Sequence, residues 1–435
     1  MIWRPDVEAM PRPEREALQL TRLRVAVGRA ARVPLYRDRL AEVGGDPGAL
    51  ATLADLRRLP FMRKADFRDQ YPLGLFAVPM TEVVRIHASS GTRGKPTVVG
   101  YTTADLQVWR EVMARSLAAA GARPGELIQN AYGYGLFTGG LGFHDGAEHM
   151  GLTVVPASSG NTLRQVLLLR DLRPQGLACT PSFALHIGES LREQGIDGRT
   201  LGLRYGLFGA EPWSEELRAQ IEAVLGLRAV DFYGLSEIIG PGVAVECAEV
   251  RRGLHVNEDH FLPEVVDASG EPVAAGIEGE LVLTTLTKEA LPVVRYRTGD
   301  VTSLDPAPCA CGRTTVRMAR IKGRTDDMLV IKGVNVYPSQ VEAALLQVED
   351  LAPHYQLVVD RRAAFPRLEV HVEPADLLVQ RWTGFDPTHP EVGALRQRVA
   401  DRLRALLALG PEVVVVAPKT IPRSEGKAVR VVERS

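Results

Sequence analysis

The sequence predicts an α/β protein. A large N-terminal domain with parallel sheet layers and a β-rich subdomain precedes a small α+β C-terminal domain, whose mobility is implied by the family resemblance given below. Three observations carry this. Short apolar runs at 127–131, 152–156, 176–180, 203–209 and 228–234 alternate with helical stretches, the pattern of a parallel sheet covered on both faces. From about Leu254 the texture changes to extended segments punctuated by glycine and proline, among them 279–285, which reads as antiparallel strand. Beyond Gly323 a tail of roughly 110 residues repeats a mixed pattern of its own, a size that folds alone.

The elements follow in order. Leu18, Leu20, Leu23, Val25 and Val27 among arginines make 13–43 helical, and 52–70 continues the style. The segment 103–120 is a helix with a threonine start and a glycine stop at Gly121. The five apolar runs then supply strands whose carboxyl ends border a ligand crevice. In the tail, strands are expected at 328–332, 356–360, 368–373 and 412–417, and helices at 339–346 and 392–408. The expected domains are 1–323, with its β-rich subdomain at about 240–323, and 328–435; a boundary at 324–327 joins them, which the resemblance given below implies is a hinge.

The totals set limits. A chain of 435 residues exceeds a usual single core. A net charge of −1 with mixed signs gives no basic stripe for nucleic acid and no funnel for acidic substrates. No apolar run is long enough to cross a bilayer, and Met1-Ile2-Trp3-Arg4-Pro5-Asp6 lacks an apolar signal core. A cytoplasmic protein with no membrane or nucleic-acid partner is expected. Of the 4 cysteines, Cys309 and Cys311 are too close for an obvious structural disulfide, and in a large cytosolic chain a metal is the better reading.

Ser89-Ser90-Gly91-Thr92-Arg93-Gly94-Lys95-Pro96 combines glycines, hydroxyls and a lysine between apolar runs. Glycines allow tight curvature, inward amides and hydroxyls donate, and lysine adds charge, so the stretch reads as a phosphate loop. It is not a Walker A loop: Pro96 follows the lysine, and a strand pattern follows in place of a helix. A polar hairpin is the bland alternative for this stretch by itself. Lysine is scarce here, occurring at 64, 95, 288, 322, 332, 419 and 427, so one inside a glycine-rich motif is informative.

Five further stretches join the loop: Gly209-Ala210-Glu211-Pro212, Asp231-Phe232-Tyr233-Gly234-Leu235-Ser236-Glu237, Tyr296-Arg297-Thr298-Gly299-Asp300, Gly323-Arg324-Thr325-Asp326-Asp327 running into Gly333-Val334-Asn335, and Pro422-Arg423-Ser424-Glu425-Gly426-Lys427. In this order they resemble the adenylate-forming superfamily of acyl-CoA synthetases, luciferases and peptide-synthetase adenylation domains. Within it the chain most closely resembles the phenylacetate–CoA ligase family.

The resemblance implies ATP-dependent ligation of phenylacetate, or a similar aryl acid, to coenzyme A through an acyl-adenylate, with release of AMP and pyrophosphate. It implies that Ser89, Ser90, Gly91, Thr92, Gly94 and Lys95 hold the β- and γ-phosphates. Gly209, Ala210 and Glu211 border the adenine, beside Asp231 and Gly234, and Tyr233 stacks on it. Glu237 resembles the Mg²⁺ carboxylate, Asp300 accepts the ribose hydroxyls, and Arg324 positions the sugar. Lys427 resembles the lysine that bridges substrate carboxylate and α-phosphate, Asp326 the hinge, and Gly333, Val334 and Asn335 the pantetheine tunnel. A homodimer is a further implication.

By the same resemblance the acid pocket is lined by Tyr132, Phe137, Phe143 and Phe232, and aromatic walls suit an aryl group. Phe143 stands where relatives often have a small residue and Phe232 where an aliphatic one is common, so both narrow the pocket. Cys247, His255, Cys309 and Cys311 match the Cys₃His set of a structural Zn²⁺ site, with ordinary buried thiols as the alternative. Cys179 reads as core. Three other functions remain open at this point: ligation of another aromatic acid, adenylation of a cofactor hydroxyl, and non-catalytic nucleotide sensing.

Overall fold

The computed structural model describes residues 1–42, 50–89, 96–325, 328–331, 334–360, 362, 367–382, 384–407, 410–426 and 428–434, with the side chains of Val330 and Asn335 outside the description. Its centre is a 9-stranded sheet. In spatial order the strands are Leu304–Asp305, Arg317–Met318, Leu254–Val256, Gly240–Glu246, Arg228–Leu235, Tyr205–Gly209, Gly176–Cys179, Leu127–Asn130 and Thr153–Val155. All five runs read as parallel strands are present and parallel.

Leu127–Asn130 has Thr153–Val155 on one side and Gly176–Cys179 on the other. The chain order reverses there, which opens a crevice at the strands' carboxyl ends. Helices Thr103–Ala120, Thr138–Met150, Thr162–Leu172, Pro181–Glu193 and Glu215–Leu225 separate or flank the strands. The first starts on a capping box in which Thr102 and Asp105 satisfy each other's amides, and it ends on Gly121 at φ 102°, a backbone conformation that favours glycine.

The β-rich stretch is divided between two sheets. Gly240–Glu246 and Leu254–Val256 extend the central sheet antiparallel. Phe261–Val266, Gly279–Thr285, Tyr296–Thr302 and Gly323–Arg324 form a separate 4-stranded antiparallel sheet. Gly240–Glu246 is buried at every residue, and its short connection to Arg228–Leu235 makes it the natural hairpin partner of that strand. The entry is also broken where prolines interrupt it: Arg12–Ala30 stops before Pro34–Glu42, and Leu53–Arg58 is a 3₁₀ turn separated by Pro60 from Lys64–Asp69.

The C-terminal part has its own 4-stranded sheet, in the order Glu412–Val415, Arg367–Pro374, Leu351–Asp360, Val431–Arg434. Pro338–Leu345 and Pro390–Leu407 cover it, and Leu395, Val399 and Leu403 recur at helical spacing in its apolar core. The last strand, parallel to Leu351–Asp360, was not read from the sequence because its side chains are largely exposed. Among the described residues no helix is long and apolar enough to cross a membrane.

Candidate active site

Three buried aromatic side chains gather near the strand ends. Tyr132 follows Leu127–Asn130, Phe143 lies on Thr138–Met150, and Phe232 lies on Arg228–Leu235. Tyr132 and Phe143 stack at 5.1 Å, and Phe232 meets them edge-on at 5.9 and 5.0 Å. The Tyr132 hydroxyl donates to the Cys179 carbonyl, tying the ends of neighbouring strands. Phe137 makes no ring pair with this trio among the described residues and is 44 % exposed, at the mouth of the group. The backbone at 209–211 is tight. A Cβ on Gly209 would lie 2.5 Å from the Phe232 carbonyl oxygen, and Ala210 holds φ 70°, strain that a fold retains where geometry matters.

A polar chain runs beside the aromatic trio. Tyr233 donates to Asp300 Oδ2 at 2.5 Å, Arg324 donates to Asp300 Oδ1 at 2.9 Å, and Arg324 also reaches the Thr298 carbonyl at 3.1 Å. Burial, then the charge of Asp300, pushes the Tyr233 phenol well above its usual range, so it stays a donor. The Asp231 carboxylate is engaged by Arg320 at 2.9 Å.

Glu237 is buried, and its only hydrogen bond among the described residues is a 3.5 Å contact from the Tyr296 hydroxyl. A buried carboxylate with so much unused acceptor capacity fits a cation. Sequence reasoning missed Lys288, buried to 3 % exposure, which donates to the Ile238 carbonyl at 2.8 Å and lies 4.7 Å over the Tyr101 ring. Burial pulls its pKa down to about 8, against the fields of Asp105 and Glu237. Tyr101 and Trp109 donate to the Ile239 and Pro241 carbonyls at 2.9 Å each, so the segment after Glu237 is fixed from below. The scarcity of lysine was the available signal for Lys288.

Ser90, Gly91, Thr92, Gly94, Lys95, Asp326, Gly333 and Lys427 lie outside the described residues. Their flanks are informative. The strands Arg85–Ser89 and Thr97–Tyr101 pair antiparallel, Ser89 opposite Thr97, so the phosphate-loop stretch connects two hydrogen-bonded strands. On either side of residue 427, the Gly426 carbonyl accepts from Thr180 Oγ1 at 2.8 Å and the Ala428 amide donates to Glu211 Oε2 at 2.9 Å. Glu211 Oε1 also caps the helix Pro181–Glu193 through the Ser182 amide at 2.8 Å. Val334 lies on the short strand Val334–Val336, paired with Leu329–Ile331.

Cys247, His255, Cys309 and Cys311 meet at the antiparallel end of the central sheet, their ligand atoms all within 4.8 Å of one another. Two thiolates on a tetrahedral Zn²⁺ lie about 3.8 Å apart, and a thiolate and an imidazole nitrogen about 3.5 Å. Cys247 and Cys309 stand at 3.8 Å, and Cys311 and His255 Nε2 at 3.5 Å. His255 Nδ1 faces Thr315 Oγ1 at 3.1 Å, which leaves Nε2 for a metal. Hydrogen bonds from Cys247, and then from His255 and Arg313, hold the Cys311 thiol well below its usual range, while Cys247 moves up as the protonated partner. The donor set fits a closed tetrahedral metal centre. Arg313, bonded to buried Glu8 at 2.7 Å, ties it to the chain start.

Residues 77–286 match the AMP-binding enzyme family model, and 333–435 match the AMP-binding enzyme C-terminal domain. Phenylacetate–coenzyme A ligase of Thermus thermophilus is 53 % identical over 99 % of this chain and 98 % of its own length. The enzyme of that name from Escherichia coli is 49 % identical over 98 % and 96 %. A 2-hydroxyisobutyryl-CoA ligase in its post-adenylation state, 30 % identical, matches 100 % of this chain and 92 % of its own with a TM-score of 0.93. The score falls to 0.73, over 99 % and 91 %, for that ligase in its thioesterification state; the two parts of this chain are arranged more as in the former. On these identities and coverages, the chain belongs to the phenylacetate–coenzyme A ligase family of AMP-binding enzymes.

Proposed function

We propose that the protein joins phenylacetate, or a similarly small aryl acid, to coenzyme A through an acyl-adenylate, consuming ATP and releasing AMP and pyrophosphate. The observation that carries this is the aromatic trio Tyr132, Phe143 and Phe232, gathered from two strands' surroundings and the helix Thr138–Met150, beside the Tyr233–Asp300–Arg324 chain. The aryl ring lies against the trio through apolar burial and edge contacts. Asp300 and Arg324 face the ribose, with Gly209, Ala210, Glu211 and Tyr233 at the adenine.

A carboxylate becomes an electrophile by attacking the α-phosphorus and expelling pyrophosphate, and fixed donors and cations stabilise the charge that develops. Ser89 to Lys95 hold the outer phosphates and Lys427 bridges the acid and the α-phosphate. Glu237 is the residue that would hold Mg²⁺, which neutralises phosphate charge when bound. The C-terminal domain, 328–435, then turns about Asp326 within the 324–327 hinge, and Gly333, Val334 and Asn335 line the path by which the thiolate displaces AMP. Cys247, His255, Cys309 and Cys311 are the residues that would hold a structural Zn²⁺. Cytoplasmic residence, a homodimer and a role in phenylacetate breakdown complete the reading.

The test is pyrophosphate release with a panel of carboxylic acids, with and without coenzyme A. Sustained turnover that needs both phenylacetate and coenzyme A is expected. Turnover that needs neither overturns the reading in favour of adenylation of another cofactor, and no release at all indicates a sensor.

A further inference from the structure

The stretch 133–137 leads into the helix Thr138–Met150, which carries Phe143, yet the side chains at its end give it little hold. Leu136 is 64 % exposed and Phe137 44 % exposed. Gly135, at φ 128°, turns the chain just before them, and a glycine there adds backbone freedom. The anchor just before the helix is one backbone oxygen. The Leu136 carbonyl accepts from the Ala88 amide at 2.8 Å and faces His87 Nδ1 at 3.1 Å. A peptide unit is planar, so these two contacts set the plane from which Phe137 departs.

His87 lies on the strand Arg85–Ser89 and is 1 % exposed. Its ring stands perpendicular to Tyr101 and Trp109, with centroids at 5.6 and 5.5 Å, and those two rings stack on each other at 4.9 Å. Two locked aromatic faces therefore hold the imidazole plane. Nε2 is buried with no hydrogen-bond partner among the described residues. A proton on Nε2 would leave a donor unmade in the interior and would set the Nδ1 lone pair against a carbonyl oxygen. The neutral ring with its proton on Nδ1 avoids both costs, and burial favours the neutral form by lowering the pKa.

We infer that His87 is a positioning residue for the aryl-acid pocket: its Nδ1–H fixes the Leu136 carbonyl and so holds Phe137 at the pocket mouth. The inference rests on the reading of the aromatic group as the acid site. Position 139 shows how close the packing is there. A Cβ on Gly139 would lie 2.7 Å from Phe137 Cε1 and 3.2 Å from Tyr132 Cδ1, so both rings close over the same bare backbone. Phe137 keeps that place only while the peptide plane before it is held, because its exposed side chain has no ring partner in the trio among the described residues. His87 thereby acts on the acid through Phe137, without touching it.

The experiment measures steady-state pyrophosphate release with phenylacetate, ATP and coenzyme A, varying the acid and ATP in turn. Phe137→Ala is the benchmark: KM for phenylacetate raised about tenfold with KM for ATP unchanged establishes the underlying reading. His87→Phe keeps a ring against Tyr101 and Trp109 but has no donor, and is expected to raise KM for phenylacetate about fivefold with KM for ATP within about twofold. His87→Asn, whose amide nitrogen can stand where Nδ1 stood, is expected to bring KM for phenylacetate back to within about twofold of wild type. In the Phe137→Ala background, His87→Phe is expected to add less than about twofold, since its effect passes through Phe137.

The nitrogen NMR spectrum of wild type labelled at histidine carries the test if His87→Phe fails to fold. The His87 signals, identified by their absence in His87→Asn, are expected to show a protonated Nδ1 and a bare Nε2; the opposite tautomer overturns the inference. Equal rises in KM for phenylacetate and for ATP, no rise in either, a His87→Asn value no better than that of His87→Phe, or a full further effect in the Phe137→Ala background overturns it as well. With Phe137→Ala behaving as expected, such a result leaves the acid-site reading standing. An unchanged KM for phenylacetate in Phe137→Ala removes the pocket assignment of Phe137, and the inference falls with it.

Discussion

The crevice at the strand ends and the loop that docks on it are built differently. The crevice is made of groups fixed by the fold. Tyr101, Trp109 and Lys288 grip the segment after Glu237 from a fully buried layer, and the aromatic trio packs together in the core. Glu425, Gly426 and Ala428 are held by isolated hydrogen bonds that cross between the two parts of the molecule. Around them the contacts are of the same polar kind: Glu189 with His354 at 2.6 Å, Ser214 with Glu342 at 3.2 Å, Lys419 with Glu193 at 2.8 Å. Isolated polar bonds each contribute on the order of 1 kcal/mol, and beside them Leu346 packs against the apolar cluster that holds Trp213 and Leu217. In the proposed function the fixed groups recognise the substrate, and contacts that open and re-form bring Lys427 to it.

The largest effect that separates the two regions is at the loop. Lys427→Ala should cut adenylate formation by about a hundredfold or more, with thioester formation from supplied adenylate largely kept; parallel loss in both would erase the distinction. Next is the fixed layer. Lys288→Met removes the donor to Ile238 and the cation near Glu237, and should slow adenylate formation about tenfold with a raised KM for magnesium–ATP. An unchanged KM would show that Lys288 supports the fold alone.

A smaller effect concerns substrate choice. Phe143 is buried against Tyr132 and Phe232, so bulky para-substituted phenylacetates should be poor substrates. Phe143→Leu should raise their kcat/KM relative to phenylacetate roughly fivefold. Equal rates in the unaltered enzyme would remove the size argument. The smallest effect on chemistry is expected at the metal cluster. Cys309→Ser with Cys311→Ser should abolish zinc in elemental analysis and lower Tm by about 5 °C or more, with the ratio of half-reaction rates unchanged. Purified wild-type protein without zinc would contradict the assignment.

Much of this was legible in the sequence because the signals are local. The helix Thr103–Ala120 was readable from its threonine start and Gly121, the parallel strands from their apolar runs, and the motifs from their places at strand ends. The metal cluster was readable as residue types, and the structure supplied the 3.5 and 3.8 Å spacings that fit an ion. What was not legible depends on distant partners. The division of the β-rich stretch between two sheets follows from which strand Gly240–Glu246 pairs with. Glu211, expected only at the adenine, has its carboxylate on Ser182 and Ala428, and nothing in the residues around it announces a partner 217 positions away. Lys288 likewise shows its place only when Ile238, 50 positions earlier, is brought beneath it.

The most direct measurement fixes the loop in place. Cysteines introduced by Thr162→Cys and Glu425→Cys, whose native side chains meet at 2.9 Å, would be joined by a short reducible thiol cross-linker, with cross-linker-treated wild type as control. The joined protein should still form phenylacetyl-adenylate and pyrophosphate but should not form phenylacetyl-CoA until the link is reduced. Undiminished thioester formation while the link is intact would contradict a lysine-bearing loop that must leave the crevice between the two steps.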